Sequence, residues 1–178
     1  MNGKDDVVLN DYHQLIANAV SEHARELGRL IDYIEIGVLT GNSAKAVLGT
    51  GKVRYAALVD NFSNTHCGEV RSSARVVAKN LQAYAELFEI FEGDSRNVMP
   101  KITGEFDVGF VDGEHTDRAC WNDMENMLRV LREDGIMFVD DLDMNGFTLR
   151  PTVERFAFEH QLNMTYHSVH NGLGELRR

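Results

Sequence analysis

The chain has 178 residues, 43% apolar and 26% charged, as in ordinary globular proteins that bury a core in one domain. Its 18 basic and 28 acidic residues give a net charge of −10, which repels phosphate backbones and excludes nucleic acid as the expected partner. No apolar run approaches the ~20 residues that span a bilayer, residues 1–13 lack the apolar stretch of a secretory signal, and Cys67 and Cys120 match no metal spacing, so we expect a cytoplasmic chain with free thiols, no membrane partner and a small-molecule ligand.

In chain order, residues 9–30 read as a helix, with Leu15, Ile16, Ala19 and Val20 on one stripe. Residues 32–37 (DYIEIG) read as a strand. Residues 42–49 (NSAKAVLG) read as a helix closed by Gly49 and Gly51. A strand over 54–60 ends in Asp60, a helix covers 68–84, and a strand over 87–93 runs into Asp94. A strand over 106–113 carries Asp112, a helix covers 117–131, and a strand over 135–141 ends in Asp140 and Asp141. Pro151 opens a last helix over 151–161. Asn171-Gly172 then separates two short runs as in a hairpin, with His170 read as a turn residue. Trp121, Met124 and Met127 read as core. There is no internal repeat and no linker.

This alternation predicts an α/β fold: a mostly parallel sheet with helices on both faces and an antiparallel edge contributed by the terminal hairpin. Ligands of such sheets sit outside the carboxyl ends of the strands. Four predicted strand ends carry acids there: Asp60, Asp94, Asp112 and the Asp140-Asp141 pair.

The stretch IEIGVLTGNSA, residues 34–44, turns from the first strand into a helix through Gly37 and Gly41. Glycine allows positive φ and close approach of a ligand to the backbone, and the free N–H groups of a helix start favour an anion. A dinucleotide loop wants G-x-G-x-x-G. Leu39 stands where the second glycine would be, which disfavours a nicotinamide oxidoreductase, and the Lys-Ser/Thr pair of a P-loop is absent. A carboxylate-bearing ligand fits better than a pyrophosphate, and Glu35 could pair with an amino group. Asp60 lies 23 residues after Gly37, near the spacing of an acid that takes ribose hydroxyls. An amino-acid end joined to a ribose describes S-adenosylmethionine.

The motif EIGVLTGNS resembles the first motif of class I S-adenosylmethionine-dependent methyltransferases, and within them the metal-dependent O-methyltransferases of the catechol and macrolide-sugar types. The resemblance covers roughly residues 31–142, with the closing hairpin also fitting, and implies a Rossmann-like sheet of seven strands. It implies one methyltransferase domain over 1–178, with 1–30 as an N-terminal helical segment. It assigns Glu35 and Ser43 to the methionine end of the donor, Gly37 and Gly41 to the loop, Asp60 to the ribose, Asp94 and Ser95 to the adenine edge, and Asp112 to the same donor pocket.

Neighbouring strands lie about 4.8 Å apart, so carboxylates ending adjacent strands converge. Unpaired they repel, and a hard divalent cation relieves that repulsion. The resemblance implies such a site, with one acid after strand four and a pair after strand five: Asp112, Asp140 and Asp141, holding a divalent metal, expected to be Mg²⁺. DGEH places His115 where catechol-type relatives carry a lysine base and macrolide-sugar types a histidine. With an ordinary pKa near 6.5, His115 is the expected general base. The implied reaction is methyl transfer to a hydroxyl of a small molecule. The alternatives are a binding or regulatory protein of this fold without transfer activity, and an enzyme of this fold doing other chemistry. The chain is short for an acceptor pocket. Acceptor recognition falls to residues 1–30, to DMNGFTLRP at 143–151, or to the second copy in a homodimer.

Overall fold

The computed structural model describes residues 11–63, 65–66, 69–70, 72–144 and 146–178. Residues 1–10 of the expected N-terminal segment, and Cys67, lie outside them. Seven strands form the main sheet: β1 (Ile31–Ile36), β2 (Val53–Asp60), β3 (Phe88–Glu92), β4 (Phe106–Val111), β5 (Leu131–Val139), β6 (Asn163–His167) and β7 (Leu173–Arg177). Their order is β3-β2-β1-β4-β5-β7-β6. The five strands from β3 to β5 run parallel, and β7 runs antiparallel to both β5 and β6. This is the expected mostly parallel sheet closed by a hairpin. Two ribbons of two-residue strands, Thr65–His66 with Glu69–Val70 and Asp143–Met144 with Phe147–Thr148, flank it.

Helices cover both faces. Against one face pack α1 (Asp11–Leu27), α2 (Asn42–Gly49) and α3 (Ala74–Asn80), through Ile16, Val20, Val47, Leu48 and Val77 onto Tyr33, Phe110 and Phe138. Against the other lie α4 (Ser95–Val98), α5 (Asp117–Val130) and α6 (Arg150–Glu159). There Met124, Met127, Val153 and Phe156 meet Ile34, Val59 and Met137. Met124 and Met127 are thus core, and the Trp121 ring packs on Phe156 at 5.1 Å. Because both faces are covered, every residue of β1 and of β4 is buried. Cys120 is a buried free thiol. Among the described residues, no helix is long and apolar enough to cross a membrane.

Local chemistry sets the boundaries. Helix α2 starts at Gly41, which takes φ 83°. Helix α5 is capped by Thr116, whose hydroxyl accepts from the Ala119 amide. The helix expected over 68–84 is shorter. Ser73, in extended conformation, caps α3 by accepting from the Val76 amide. The chain before it pairs at Glu69–Val70, and the chain after it tightens into a 3₁₀ turn at Gln82–Tyr84. The hydroxyl at the cap, not the apolar period, decides where this helix begins.

Candidate active site

The parallel ladder continues one residue past each strand and locks the carboxyl ends together. The Gly37 amide donates to the Val59 carbonyl at 2.9 Å, Asp112 to Ile36 at 2.8 Å, Asp140 to Val111 at 3.0 Å and Gly93 to Asp60 at 2.9 Å. Above this rim opens a cleft of about 710 Å³, a size suited to a nucleoside-sized ligand. Gly37, Asp60, Asp94, Ser95, Asp112, His115 and Asp141 all line it. Glu35, Gly41, Ser43 and Asp140 do not.

Gly37 takes φ 90°, and a Cβ on it would fall 1.9 Å from the Asp112 carbonyl oxygen, so only glycine lets β1 and β4 approach here. The loop is then shaped by Asp60. One of its oxygens accepts from the Val38 and Leu39 amides, both at 2.8 Å, and the other from the Phe62 amide at 2.6 Å. These bonds hold Leu39 at φ 49°. Beneath the loop, Glu35 is fully buried. Tyr33 donates its hydroxyl to Glu35 at 2.8 Å, and Ser43 donates to the other oxygen. Burial pushes the Glu35 carboxyl up to about 8, against the pull of these two hydroxyls. Glu35 and Ser43 therefore join β1 to α2 under the cleft.

On the far side, Asp94 caps α4 by accepting from the Arg96 amide at 2.9 Å. The Arg96 guanidinium bonds the same carboxylate and lowers it to about 2. Ser95 donates to Asp123 of α5 at 2.6 Å. Asp123 lines the cleft too, and burial raises it to about 6. Sequence reasoning missed it: a polar residue inside an amphipathic helix carries no sign of which cleft it will face.

The acids after β4 and β5 meet. His115 Nε2 lies 3.4 Å from Asp112 Oδ1 and 3.2 Å from Asp141 Oδ2. The hydrogen bond to Asp112 raises the imidazole pKa, as do the nearby Asp141 and Asp140 charges. Burial raises Asp112, and repulsion from Asp141 adds to it. Asp140 is 3% exposed, its Oδ1 has no hydrogen-bond partner, and burial pushes it to about 8. Among the described residues no arginine or lysine pairs with Asp112, Asp140 or Asp141; the ion-pair partners of Asp112 and Asp141 are histidines. Donor atoms of Asp112, His115 and Asp141 lie within 4.8 Å of one another, as do those of Asp140, Asp141 and His170. His170 lies in the turn expected of it, with its Nδ1 3.6 Å from Asp141 Oδ1. The signal was in the topology. A strand antiparallel to β5 begins where β5 ends, so the loop before it must lie at the rim.

Residues 34–142 match the family model described as a methyltransferase domain, and the chain belongs to this family of S-adenosylmethionine-dependent methyltransferases. No curated protein matches it in sequence. Several solved structures share the fold at low identity. The O-methyltransferase NovP is similar at 17% identity and TM-score 0.74, over 94% of this chain and 79% of NovP. The O-methyltransferase TomG from Streptomyces achromogenes, solved with S-adenosylmethionine, is similar at 16% identity and TM-score 0.69, over 93% of this chain and 78% of its own. An O-methyltransferase from Bacillus cereus, in complex with SAH, is similar at 13% identity and TM-score 0.70, over 94% and 80%.

Proposed function

We propose that this protein transfers the methyl group of S-adenosylmethionine to a hydroxyl of a small molecule, assisted by a divalent cation such as Mg²⁺. The observation that carries the reading is the meeting of Asp112, His115 and Asp141 in the same cleft as the Gly37 loop. The donor side runs from the Gly37–Gly41 loop, buttressed by Glu35 and Ser43, past Asp60 to Asp94 and Ser95. Asp60 keeps the loop open and offers its outer edge to the ribose.

The rim fits a cation by its chemistry: Asp141 meets Asp112 and His115 on one side and Asp140 and His170 on the other, no arginine or lysine among the described residues pairs with these acids, and one buried oxygen of Asp140 is unsatisfied. Asp112, Asp140 and Asp141 would hold it. A divalent cation held there would supply Lewis-acid chemistry that eases deprotonation of an acceptor hydroxyl. The His115 imidazole accepts the hydroxyl proton. Asp112 and Asp141, both within 3.4 Å, stabilise the imidazolium that results. The cleft walls hold acceptor and donor together, which removes much of the entropic barrier. Met144, in the short ribbon after β5, lines the same cleft and gives the acceptor an apolar contact.

Calorimetry tests the reading. Wild type should bind S-adenosylmethionine, and added Mg²⁺ should change that binding in wild type but not in Asp112→Ala. His115→Ala should keep donor affinity and lose about 10²-fold or more in turnover on a panel of diols and catechols. Absence of donor binding by wild type sinks the proposal. Donor binding with no methylation of any acceptor would favour a binding protein of this fold.

A further inference from the structure

We propose that His170 is itself a ligand of the rim cation, through Nδ1, and that it turns an oxygen-only site into one that prefers Mn²⁺ over Mg²⁺. The inference rests on the reading that the acidic rim holds a divalent cation, and it goes beyond the acids that reading uses.

His170 sits in the loop 168–172 between β6 and β7, at φ 49° in the left-handed region that non-glycine residues avoid. That loop is bonded to the end of β5. The Leu142 amide donates to the Gly172 carbonyl at 3.0 Å, and the Asp143 amide donates to the Asn171 carbonyl at 2.6 Å. The Asn171 side chain donates to Asp141 Oδ1 at 2.7 Å and fixes that carboxylate. On its other side the His170 ring rests on the Tyr12 ring of α1, centroids 5.1 Å apart. The imidazole is thus held between an aromatic wall and the acid pair, with Nδ1 turned to Asp141.

The independent sign of a ligand is Asp140. It is 97% buried (3% exposed), and its Oδ1 has no partner. An unsatisfied buried carboxylate oxygen is costly. Donor atoms of Asp140, Asp141 and His170 all lie within 4.8 Å of one another, so one cation can touch all three. A cation satisfies the Asp140 oxygen and gives His170 a reason to be held where it is. Two carboxylates and an imidazole suit Mn²⁺, Co²⁺ or Zn²⁺, whereas Mg²⁺ takes oxygen donors. His115, bridged to Asp112 and Asp141, is left free to move protons.

Pulsed EPR of the Mn²⁺-loaded protein tests this, since a coordinated imidazole nitrogen modulates the electron-spin echo. Wild type should show that ¹⁴N modulation, and His115→Ala should keep it. His170→Ala and His170→Gln should abolish it and weaken Mn²⁺ binding by about tenfold or more, with Mg²⁺ affinity changed far less. The glutamine variant keeps a polar group against Asp141, and its unchanged melting temperature would confirm an intact fold. Mn²⁺ binding without nitrogen modulation in wild type, or modulation that survives both His170 variants, overturns the role of His170 and leaves the acidic site standing. Failure of wild type to bind Mn²⁺ at all overturns both.

Discussion

The two ends of the parallel sheet both bury carboxylates, and they treat them in opposite ways. At the amino end, Asp107 at the start of β4 is fully buried. It accepts from Arg29 Nη1 at 2.9 Å and from the Asp32 amide at 2.8 Å, with Arg132 Nε 3.2 Å away. Burial opposes its charge, but these donors outweigh burial and hold the carboxyl below its ordinary range. Asp32 beside it is paired with Arg54. At the carboxyl end, Asp112, Asp140 and Asp141 have histidines for company and one oxygen with nothing. The same residue type is neutralised by arginines at one end and left to histidines at the other.

The sharpest way to break this contrast is to neutralise one acid at each end. Asp107→Asn should cost about 3–4 kcal/mol in urea unfolding, because it leaves two guanidinium groups facing an amide. Donor affinity should be unchanged. Asp140→Asn should be close to neutral without cation, since it keeps the shape of a group whose charge burial already disfavours, and it should lose cation binding. A large loss of stability in Asp140→Asn would show that the rim is structural after all.

Glycines give the next largest effect. Gly37→Ala drives a Cβ to within 1.9 Å of the Asp112 carbonyl, at φ 90°. It should cost about 2–3 kcal/mol and weaken donor binding, because β1 and β4 must part at the rim. Gly28, between α1 and β1 at the amino end, has φ 64° and no atom within 4 Å of the added Cβ. Gly28→Ala should cost only about 1 kcal/mol of backbone strain, with donor binding kept. Equal effects of the two on binding would remove the distinction between the ends.

The ends should also differ in pH response. Asp107 is depressed, so its contribution is present above its unfolded pKa and is lost as pH falls through the folded value. Glu35 is the reverse. Its folded pKa is raised from 4.5 to about 8, so between those values the unfolded chain has already released a proton that the folded chain keeps. Wild type should lose stability as pH rises across that window. Glu35→Gln should flatten this limb of the melting-temperature profile while leaving the acid limb in place. An unchanged alkaline limb would mean that Glu35 is not the group responsible.

Much of this arrangement was legible, and the exceptions have physical causes. The bounds of α2, Asn42–Gly49, follow from glycines on either side. The acids at the strand ends and the need for glycine at 37 follow from the α/β rule and from spacing. The fate of Glu35 did not follow, because an acid within an apolar strand can face a ligand or a buried partner. Its partner Tyr33 lies two residues away on the same face, which alternation shows, but Ser43 reaches it only once α2 docks. His170 lies in the turn that the sequence suggested, but its nearness to Asp141 was not legible because it comes from the pairing of β7 with β5, a contact between distant parts of the chain. The start of α3 was misplaced because one hydroxyl, Ser73, outweighed a long apolar period.

The smallest expected effect concerns the cleft wall between the two ends. Ser95 donates to Asp123 Oδ1 at 2.6 Å and steadies its charged form. The Asp123 carboxyl is raised from 3.8 to about 6, so its burial already costs stability as pH rises through that window. Ser95→Ala removes the hydroxyl that limits the rise, and the window should extend upward. At pH 7.5 the variant should be less stable than wild type by about 1 kcal/mol. Near pH 4 the carboxyl is protonated in both proteins, and the difference should shrink. A packing defect from the lost hydroxyl would be the same at both pH values. Urea midpoints at the two pH values separate them, and a pH-independent loss would place Ser95 with the ordinary caps of short helices rather than with the groups that tune the cleft.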